Sequence, residues 1–506
     1  MKKVLYLALR SIFILISLAL QIGLIFIASF YFTQYTFILY LALYLVSIYA
    51  IINLSFKNTY SEVKLPWTIL FITLPIFSVF FYLTYRKRGL SKKDKKIYDK
   101  INKNFEKTMK EVPEITNYDI SNTVKVQSTY LTKISNSPAY VNTAVKYYPL
   151  GDNMFPDILI ELEKAEKYIF LEYYIIEDGK FWSAIEEILV KKAALGLDVR
   201  VMYDDWGCAL KLSPDFAYNL TSKNIKVKPF NVFKHLFNSK FNNRDHRKIC
   251  VIDGNVGFTG GINLADEYIN ARQVFGHWKD TAVKLTGDAV YSLTTMFLSM
   301  WSASNAKLED LSSYKPTIKA ETDGMVQPFG DSPLDGDSVG ETAYMNMIYK
   351  AKKYIYITTP YLIISRELMV ALISAAKSGI DVRIITPGIP DKKFILFLTQ
   401  SYYEELLSAG VKIYEYNGFI HSKLFVSDDE VSIIGTINLD YRSLSLNYEC
   451  AVFLYKCSAL KDIIEDFNKT KDGAKEVLLE NAIKKDNLRF IKKLYLAILR
   501  TFAPLF

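Results

Sequence analysis

The strongest constraint on this chain is a polar motif written twice. Residues 246–263 read HRKICVIDGNVGFTGGIN, and residues 421–438 read HSKLFVSDDEVSIIGTIN. Both fit H-x-K-x4-D-x6-G-[GT]-I-N, with every fixed polar position at the same spacing. Such a duplication implies a fold built twice. The flanks agree with this. AEKYIFLEYYII from Ala165 resembles AKKYIYITTPYLI from Ala351, and GLDVRVMYDD from Gly196 resembles GIDVRIITPG from Gly379. Each half carries a β-rich apolar strand, an amphipathic helix and a second strand. That pattern predicts an α/β fold with parallel strands covered by helices.

Strand geometry gives the motif its chemistry. His and Lys two residues apart on a strand point to the same face. The apolar runs Ile249–Ile252 and Leu424–Val426 read as the buried strands, and Asp253 and Asp428 begin the turns that follow. A returning strand then ends at a Gly-rich corner, from which Asn263 or Asn438 can face its His–Lys pair. Two copies about a pseudo-twofold axis would place one imidazole on each side of a phosphate diester, in line with attack and departure. Lys248, Lys423, Asn263 and Asn438 would surround the non-bridging oxygens. This is electrostatic stabilisation that calls for no metal. The chain has only 4 histidines, and His246 and His421 fall at equivalent repeat positions. His235 and His277 have no such support and read as ordinary histidines.

The opening of the chain has a different character. Three apolar runs, at about 11–32, 36–54 and 67–85, contain no Asp, Glu, Lys or Arg. Each is long enough to cross the ~30 Å of a bilayer core as a helix. The basic residues Arg86, Lys87, Arg88, Lys92, Lys93, Lys95 and Lys96 follow, which favours a cytoplasmic catalytic region. Lys2, Lys3 and Arg10 pull the N-terminus to the same side, so one run does not cross or the N-terminus lies outside. Pro75 makes the third run a candidate for a broken or re-entrant segment. At the far end, Ile491, Leu494, Tyr495, Ile498, Leu499 and Phe502 form a helical apolar stripe with basic residues around it.

The net charge of +9 suits nucleic acid or an anionic bilayer, and the apolar runs favour the bilayer. The 4 cysteines form no CxxC pair or zinc-like cluster. The expected organisation is a membrane anchor over 1–90, a basic polar connection over 91–140, repeats over 141–315 and 316–480, and an amphipathic basic tail over 481–506.

The doubled HxKxxxxD pattern resembles the phospholipase D superfamily. The wording around it is similar to bacterial cardiolipin synthases: YDDWG from Tyr203, GGINLADEY from Gly260, QPFGDSP from Gln327, TPYLI from Thr359 and GTINLDYRSLSLNYEC from Gly435. The resemblance implies two phospholipase D-like repeats of mixed and parallel sheets flanked by helices. It also implies that two phosphatidylglycerol molecules give cardiolipin and glycerol through a phosphatidyl-histidine intermediate. The catalytic set would be His246, Lys248, Asp253, His421, Lys423 and Asp428, with His246 the nucleophile and His421 the general acid/base. The residues alone leave those two histidines nearly equivalent. Asn263 and Asn438 would bind phosphate, and Glu449 and Asp280 would orient the imidazoles. No cofactor, metal or nucleic acid is expected. The partners would be phosphatidylglycerol and cardiolipin in a multi-pass cell-membrane setting. A phospholipase D-type hydrolase or another head-group transferase would use the same residues. Gln400 departs from the arginine expected before Ser401-Tyr402-Tyr403, which puts head-group affinity in doubt.

Overall fold

The computed structural model describes residues 12, 15, 16, 18–23, 26, 27, 30, 33–57, 60–75, 77–79, 82, 92–112, 115, 120–232, 243–305, 307–334, 336–486 and 490–505. His235, nearly half of the first apolar run and the basic residues Arg86, Lys87 and Arg88 lie outside them. The chain divides into two compact units, one of residues 1–89, 233–242 and 491–506, the other of 90–232 and 243–490.

The larger unit holds the repeats. The first half contributes Thr143–Tyr148 (β1), Tyr168–Tyr173 (β2), Asp198–Asp204 (β3), Lys226–Phe230 (β4), Arg244–Asp245 (β5), Lys248–Ile252 (β6), Val256–Gly260 (β7), His277–Lys279 (β8) and Ala282–Gly287 (β9). The second contributes Met325–Asp331 (β10), Tyr354–Thr358 (β11), Leu362–Ile363 (β12), Asp381–Pro387 (β13), Lys412–Tyr416 (β14), Gly418–Ile420 (β15), Leu424–Ser427 (β16), Val431–Gly435 (β17), Leu439–Asp440 (β18), Asn447–Tyr455 (β19) and Lys475–Glu476 (β20). The first sheet runs β1-β9-β7-β6-β2-β3-β4, and the second repeats that order as β10-β19-β17-β16-β11-β13-β14, with β20 added at its edge.

Both sheets are mixed, for a local reason. The βαβ crossovers give the parallel pairs β2–β3, β3–β4, β11–β13 and β13–β14. The turns after β6 and β16 force antiparallel return. Asp253 and Gly254 adopt φ of 54° and 68°, Asp428 and Asp429 both adopt 58°, and Asn255 N–H closes the first turn on Ile252 O at 3.0 Å. Two consecutive positive φ values make a primed turn, whose twist matches that of the strands it joins.

The halves share one apolar core. Phe170, Val283 and Leu285 of the first sheet meet Val426, Val452 and Leu454 of the second through Phe297 and Trp301 of the helix Val290–Asn305 and Phe467 of the helix Ala459–Asp472. Opposite faces carry further helices. Ile158, Trp182, Ile185 and Leu189 cover the first sheet from Gly151–Glu163 and Lys180–Ala194. The stretch before the repeats folds onto this body as the helices Lys92–Lys110 and Asn122–Ser135. The first buries Ile101 and Met109, and the second receives Gln327, whose Nε2 donates to Ser128 O at 3.1 Å.

In the smaller unit, the helix Thr33–Ser55 carries the second apolar run, and Leu54, Trp67, Phe71 and Tyr82 form a small cluster. The third run is not one helix. Ser61–Thr73 stops at Leu74, whose φ of −135° and ψ of 64° leave the helical region just before Pro75. Among the described residues no helix is long and apolar enough to cross a membrane.

Candidate active site

Two short parallel pairings lace the repeats together beside the motifs. β5 of the first half lies along β19 of the second, and β15 of the second lies along β8 of the first. These pairings set the two histidine backbones. His246 N–H donates to Tyr448 O at 2.9 Å, and His421 N–H donates to Lys279 O at 2.7 Å. Each imidazole therefore lies one residue from a carboxylate of the opposite repeat. His246 Nδ1 is 2.9 Å from Glu449 Oε2, and His421 Nδ1 is 2.6 Å from Asp280 Oδ2. The orienting pairs are crossed between the halves. An ionised carboxylate only accepts, so each Nδ1 carries the proton and each Nε2 keeps its lone pair.

The lysines complete the charge pattern. Lys248 Nζ donates to His246 O at 2.5 Å, and Lys423 Nζ donates to His421 O. Both are buried, and burial lowers Lys248 to about 8 and Lys423 to about 7. Burial and then the Lys423 charge lower His421 to about 3, and burial also lowers His246. Burial works against ionisation of both carboxylates. The hydrogen bond from His246 and the Lys248 charge nonetheless hold Glu449 below its ordinary value, and the Lys423 charge and the hydrogen bond from His421 do the same for Asp280. The free site thus holds two neutral imidazoles between buried cations. A phosphate monoanion placed there would offset the lysine charge that keeps His421 neutral, making the imidazolium accessible.

The carboxylates are held unequally. Glu449 accepts from Thr436 Oγ1 at 2.5 Å, Ser443 Oγ at 2.6 Å and Asn447 Nδ2 at 3.1 Å. Asp280 accepts from Thr281 N–H at 2.8 Å besides His421. Gly261 stands where the second motif has Thr436. A Cβ at 261 would lie 2.0 Å from Asp280 Oδ1, so only glycine leaves room for that carboxylate. These supporting residues were not singled out in the sequence, although the G-[GT] variation inside the motif marks the position.

Two expected roles change. Asp253 and Asp428, expected in the catalytic set, are placed as acceptors of backbone N–H groups at the turns. Asp253 accepts from the N–H groups of Glu166, Lys167 and Tyr168, each at 2.8 Å. Asp428 accepts from Lys352, Lys353 and Tyr354 at 2.8, 2.9 and 3.0 Å. Each sits past the end of its strand, roughly 16 Å along from the lysine at ~3.3 Å per residue, and ties the start of β2 or β11 to the turn. The asparagines also differ. Asn263 Oδ1 accepts from Ile175 N–H at 3.0 Å, and its Nδ2 donates to Tyr268 Oη at 2.7 Å. Asn438 keeps its side-chain amide unbonded among the described residues, with Oδ1 buried and without a partner. It matches the expected phosphate-facing role more closely than Asn263.

Aromatic rings wall the pair. Tyr174 meets His246 edge-on at 5.0 Å, and Tyr268, Trp278 and Phe419 lie 5.5, 5.6 and 5.8 Å from His421. His277 is exposed and pairs with Tyr416 Oη at 2.8 Å. Gln400 Nε2 donates to Glu415 Oε1 at 2.7 Å.

Comparison with known proteins agrees with this arrangement. The family described as cardiolipin synthase, PLD-like domain matches residues 158–301 and 344–471, one match for each repeat. An uncharacterised protein of Streptococcus mutans is 45% identical over 382 residues, covering 74% of this chain and 81% of its own. A cardiolipin synthase of Halalkalibacterium halodurans is 36% identical over 425 residues, covering 81% and 83%. Among solved structures, a phosphatidylserine synthase of Haemophilus influenzae superposes with a TM-score of 0.57 at 15% identity, covering 76% of this chain and 98% of its own, a likeness of fold. With a matched domain in each half and long, well-covered relatives, the chain belongs to the phospholipase D-like cardiolipin synthase family.

Proposed function

We propose that the protein transfers the phosphatidyl group of one phosphatidylglycerol to the glycerol hydroxyl of another, giving cardiolipin and glycerol. Family membership makes the chain a phosphatidyltransferase. The identity of the two lipids and the order of steps go beyond that membership. The crossed pair His246–Glu449 and His421–Asp280 carries it.

His246 Nε2 gives its lone pair to phosphorus, and the bond from phosphorus to the glycerol oxygen breaks. His421, protonated once the phosphate has entered, gives its Nε2 proton to that oxygen. Glycerol leaves, and the phosphatidyl group stays on His246. His421 then removes the proton from the hydroxyl of a second phosphatidylglycerol as that oxygen attacks phosphorus. The P–N bond breaks and returns the electron pair to His246. Lys248, Lys423 and Asn438 hold the charge that gathers on the non-bridging oxygens. Asp280 has fewer protein donors than Glu449, so it keeps more capacity to stabilise an imidazolium. This favours His421 as the acid/base.

The proposal includes a multi-pass cell-membrane location with the catalytic region on the cytoplasmic side. Its support is the three uncharged apolar runs and the basic residues that follow. Large apolar side chains also stand exposed in the smaller unit, Phe37 at 75%, Tyr49 at 69% and Phe56 at 88%, an unusual display for a surface in water. Purified full-length protein on phosphatidylglycerol vesicles tests the reaction. Cardiolipin and glycerol in equal amounts are expected. Phosphatidic acid as the main product would assign the same site to a hydrolase.

A further inference from the structure

One group beside the histidines has no part in the chemistry above. Tyr268 is buried, at 3% exposure, and its ring stands edge-on to His421, 5.5 Å away with an interplanar angle of 79°. Its hydroxyl accepts a hydrogen bond from Asn263 Nδ2 at 2.7 Å. The direction of that bond is fixed elsewhere. Asn263 Oδ1 takes the Ile175 N–H at 3.0 Å, so the face of the amide turned to Tyr268 is the donor face. The phenol oxygen is therefore spent as an acceptor. Its own proton has no acceptor among the described residues, and an unspent donor in a buried place is costly unless something else takes it.

Its surroundings say where that proton can go. The hydroxyl lies within electrostatic range of Asp280, which orients His421, and of Tyr174, which packs edge-on against His246. Its ring borders His421, and Tyr174 borders His246. Burial and the Asp280 charge raise its pKa well above the ordinary value, so it stays a donor. The second repeat has nothing comparable. Five residues after Asn438 comes Ser443, whose hydroxyl donates to Glu449. Asn438 keeps its amide for the site, whereas Asn263 holds a phenol there.

We infer that the Tyr268 hydroxyl is a substrate-binding group that donates a hydrogen bond to a non-bridging oxygen of the phosphate diester held between His246 and His421. Asn263 then acts through it as a positioning residue. The two halves present different donors to one phosphate: a phenol from the first, an amide from the second. The inference rests on the phosphatidyl-transfer reading for its lipid, while its test does not depend on that lipid.

Full-length Tyr268→Phe, Asn263→Ala and the double variant are to be assayed on phosphatidylglycerol vesicles and titrated with inorganic orthophosphate, with a melting temperature for each. Tyr268→Phe is expected to lower turnover about 10–100-fold and to weaken orthophosphate binding about five- to tenfold, at an unchanged melting temperature. Asn263→Ala leaves the phenol present but unheld, so a similar fall is expected. Because the two residues act as one unit, the double variant should stay within about threefold of the worse single one. Unchanged turnover and orthophosphate affinity in Tyr268→Phe would overturn the inference. So would a loss of activity that follows the melting temperature while orthophosphate affinity holds, or losses that multiply in the double variant. If the wild type makes no cardiolipin but Tyr268→Phe still weakens orthophosphate, the lipid reading falls and this one stands.

Discussion

The two halves match strand for strand but not side chain for side chain. In the second half, Glu449 sits in a cage of Thr436, Ser443 and Asn447 and reaches His246 of the first. In the first half, Gly261 makes room for Asp280, which reaches His421 with fewer supports. The residue between His and Lys differs too. Arg247 pairs with Glu172 at 2.5 Å, whereas Ser422 meets Thr358 at 2.9 Å and Thr281 at 2.7 Å. A symmetric scaffold supplies two imidazoles in one place. The asymmetric surroundings allow one to act as nucleophile and the other as proton carrier. The sheets can tolerate this divergence because hairpin and crossover geometry is set by backbone and turn residues, not by the groups at the strand ends.

The comparison breaks first if the histidines are not both essential. His246→Ala and His421→Ala should each lower cardiolipin formation by about 10⁴-fold or more, with the double variant little worse, as expected for residues that act as one unit. Initial rates on vesicles decide this. Retention of a tenth of the activity in either variant would end the two-histidine account.

Next in size is the contrast between Gly261 and Thr436. Gly261→Ala places a methyl against Asp280 Oδ1 and must displace it. Such misplacement should cost about 10²-fold in kcat. Thr436→Gly removes one of several donors to Glu449, and a loss of about tenfold or less is expected. Equal losses would mean that the unequal holding of the carboxylates has no consequence for catalysis.

The lysines sharpen the account through pH. Lys423 near 7 and Lys248 near 8 are charged below those values. Phosphate binding by the free enzyme should therefore weaken as pH rises through about 7 to 8, and kcat/KM with it. The limb in kcat should lie higher, because a bound phosphate anion favours the charged lysines. Stability should move the other way. Between about 7 and the ordinary lysine value of 10.5 the unfolded chain holds the proton more tightly, so stability rises with pH. Lys423→Met should accordingly melt at a higher temperature at pH 7 while losing activity. A lower melting temperature would contradict that sign.

The smallest expected effect on turnover is at the turns. Asp253→Ala and Asp428→Ala each leave three backbone N–H groups without their acceptor, and should cost about 1–3 kcal/mol of stability. Turnover of the folded fraction should change less than about twofold. A catalytic collapse without loss of stability would restore these aspartates to the mechanism.

Much of this site was legible in the sequence because motif spacing survives folding. His246, His421, Lys248 and Lys423 could be placed from strand periodicity, and the resemblance named Glu449 and Asp280. The crossing of the carboxylates was not legible, since it depends on β5 lying along β19 and β15 along β8, short pairings with no periodic signal. Asp253 and Asp428 could be placed at turns from their DG and DD pairs, but the backbone N–H groups they accept from, across to the start of β2 and β11, carry no local signal. The helix Lys92–Lys110 lay hidden under its lysines, although Ile97, Ile101, Phe105 and Met109 recur at i, i+4 along one face. Tyr268 and Gly261 do their work through three-dimensional neighbours that no local pattern encodes.

The division of labour between the histidines is the central claim, and trapping the intermediate tests it most directly. Full-length His421→Ala and His246→Ala are to be mixed with phosphatidylglycerol vesicles, quenched, digested and analysed by mass spectrometry for a phosphatidyl group on histidine. With its proton carrier gone but its nucleophile present, His421→Ala should accumulate a phosphatidyl adduct on His246, and His246→Ala should carry none. An adduct on His421 in the His246→Ala protein, with none in His421→Ala, would contradict the assignment and exchange the two roles.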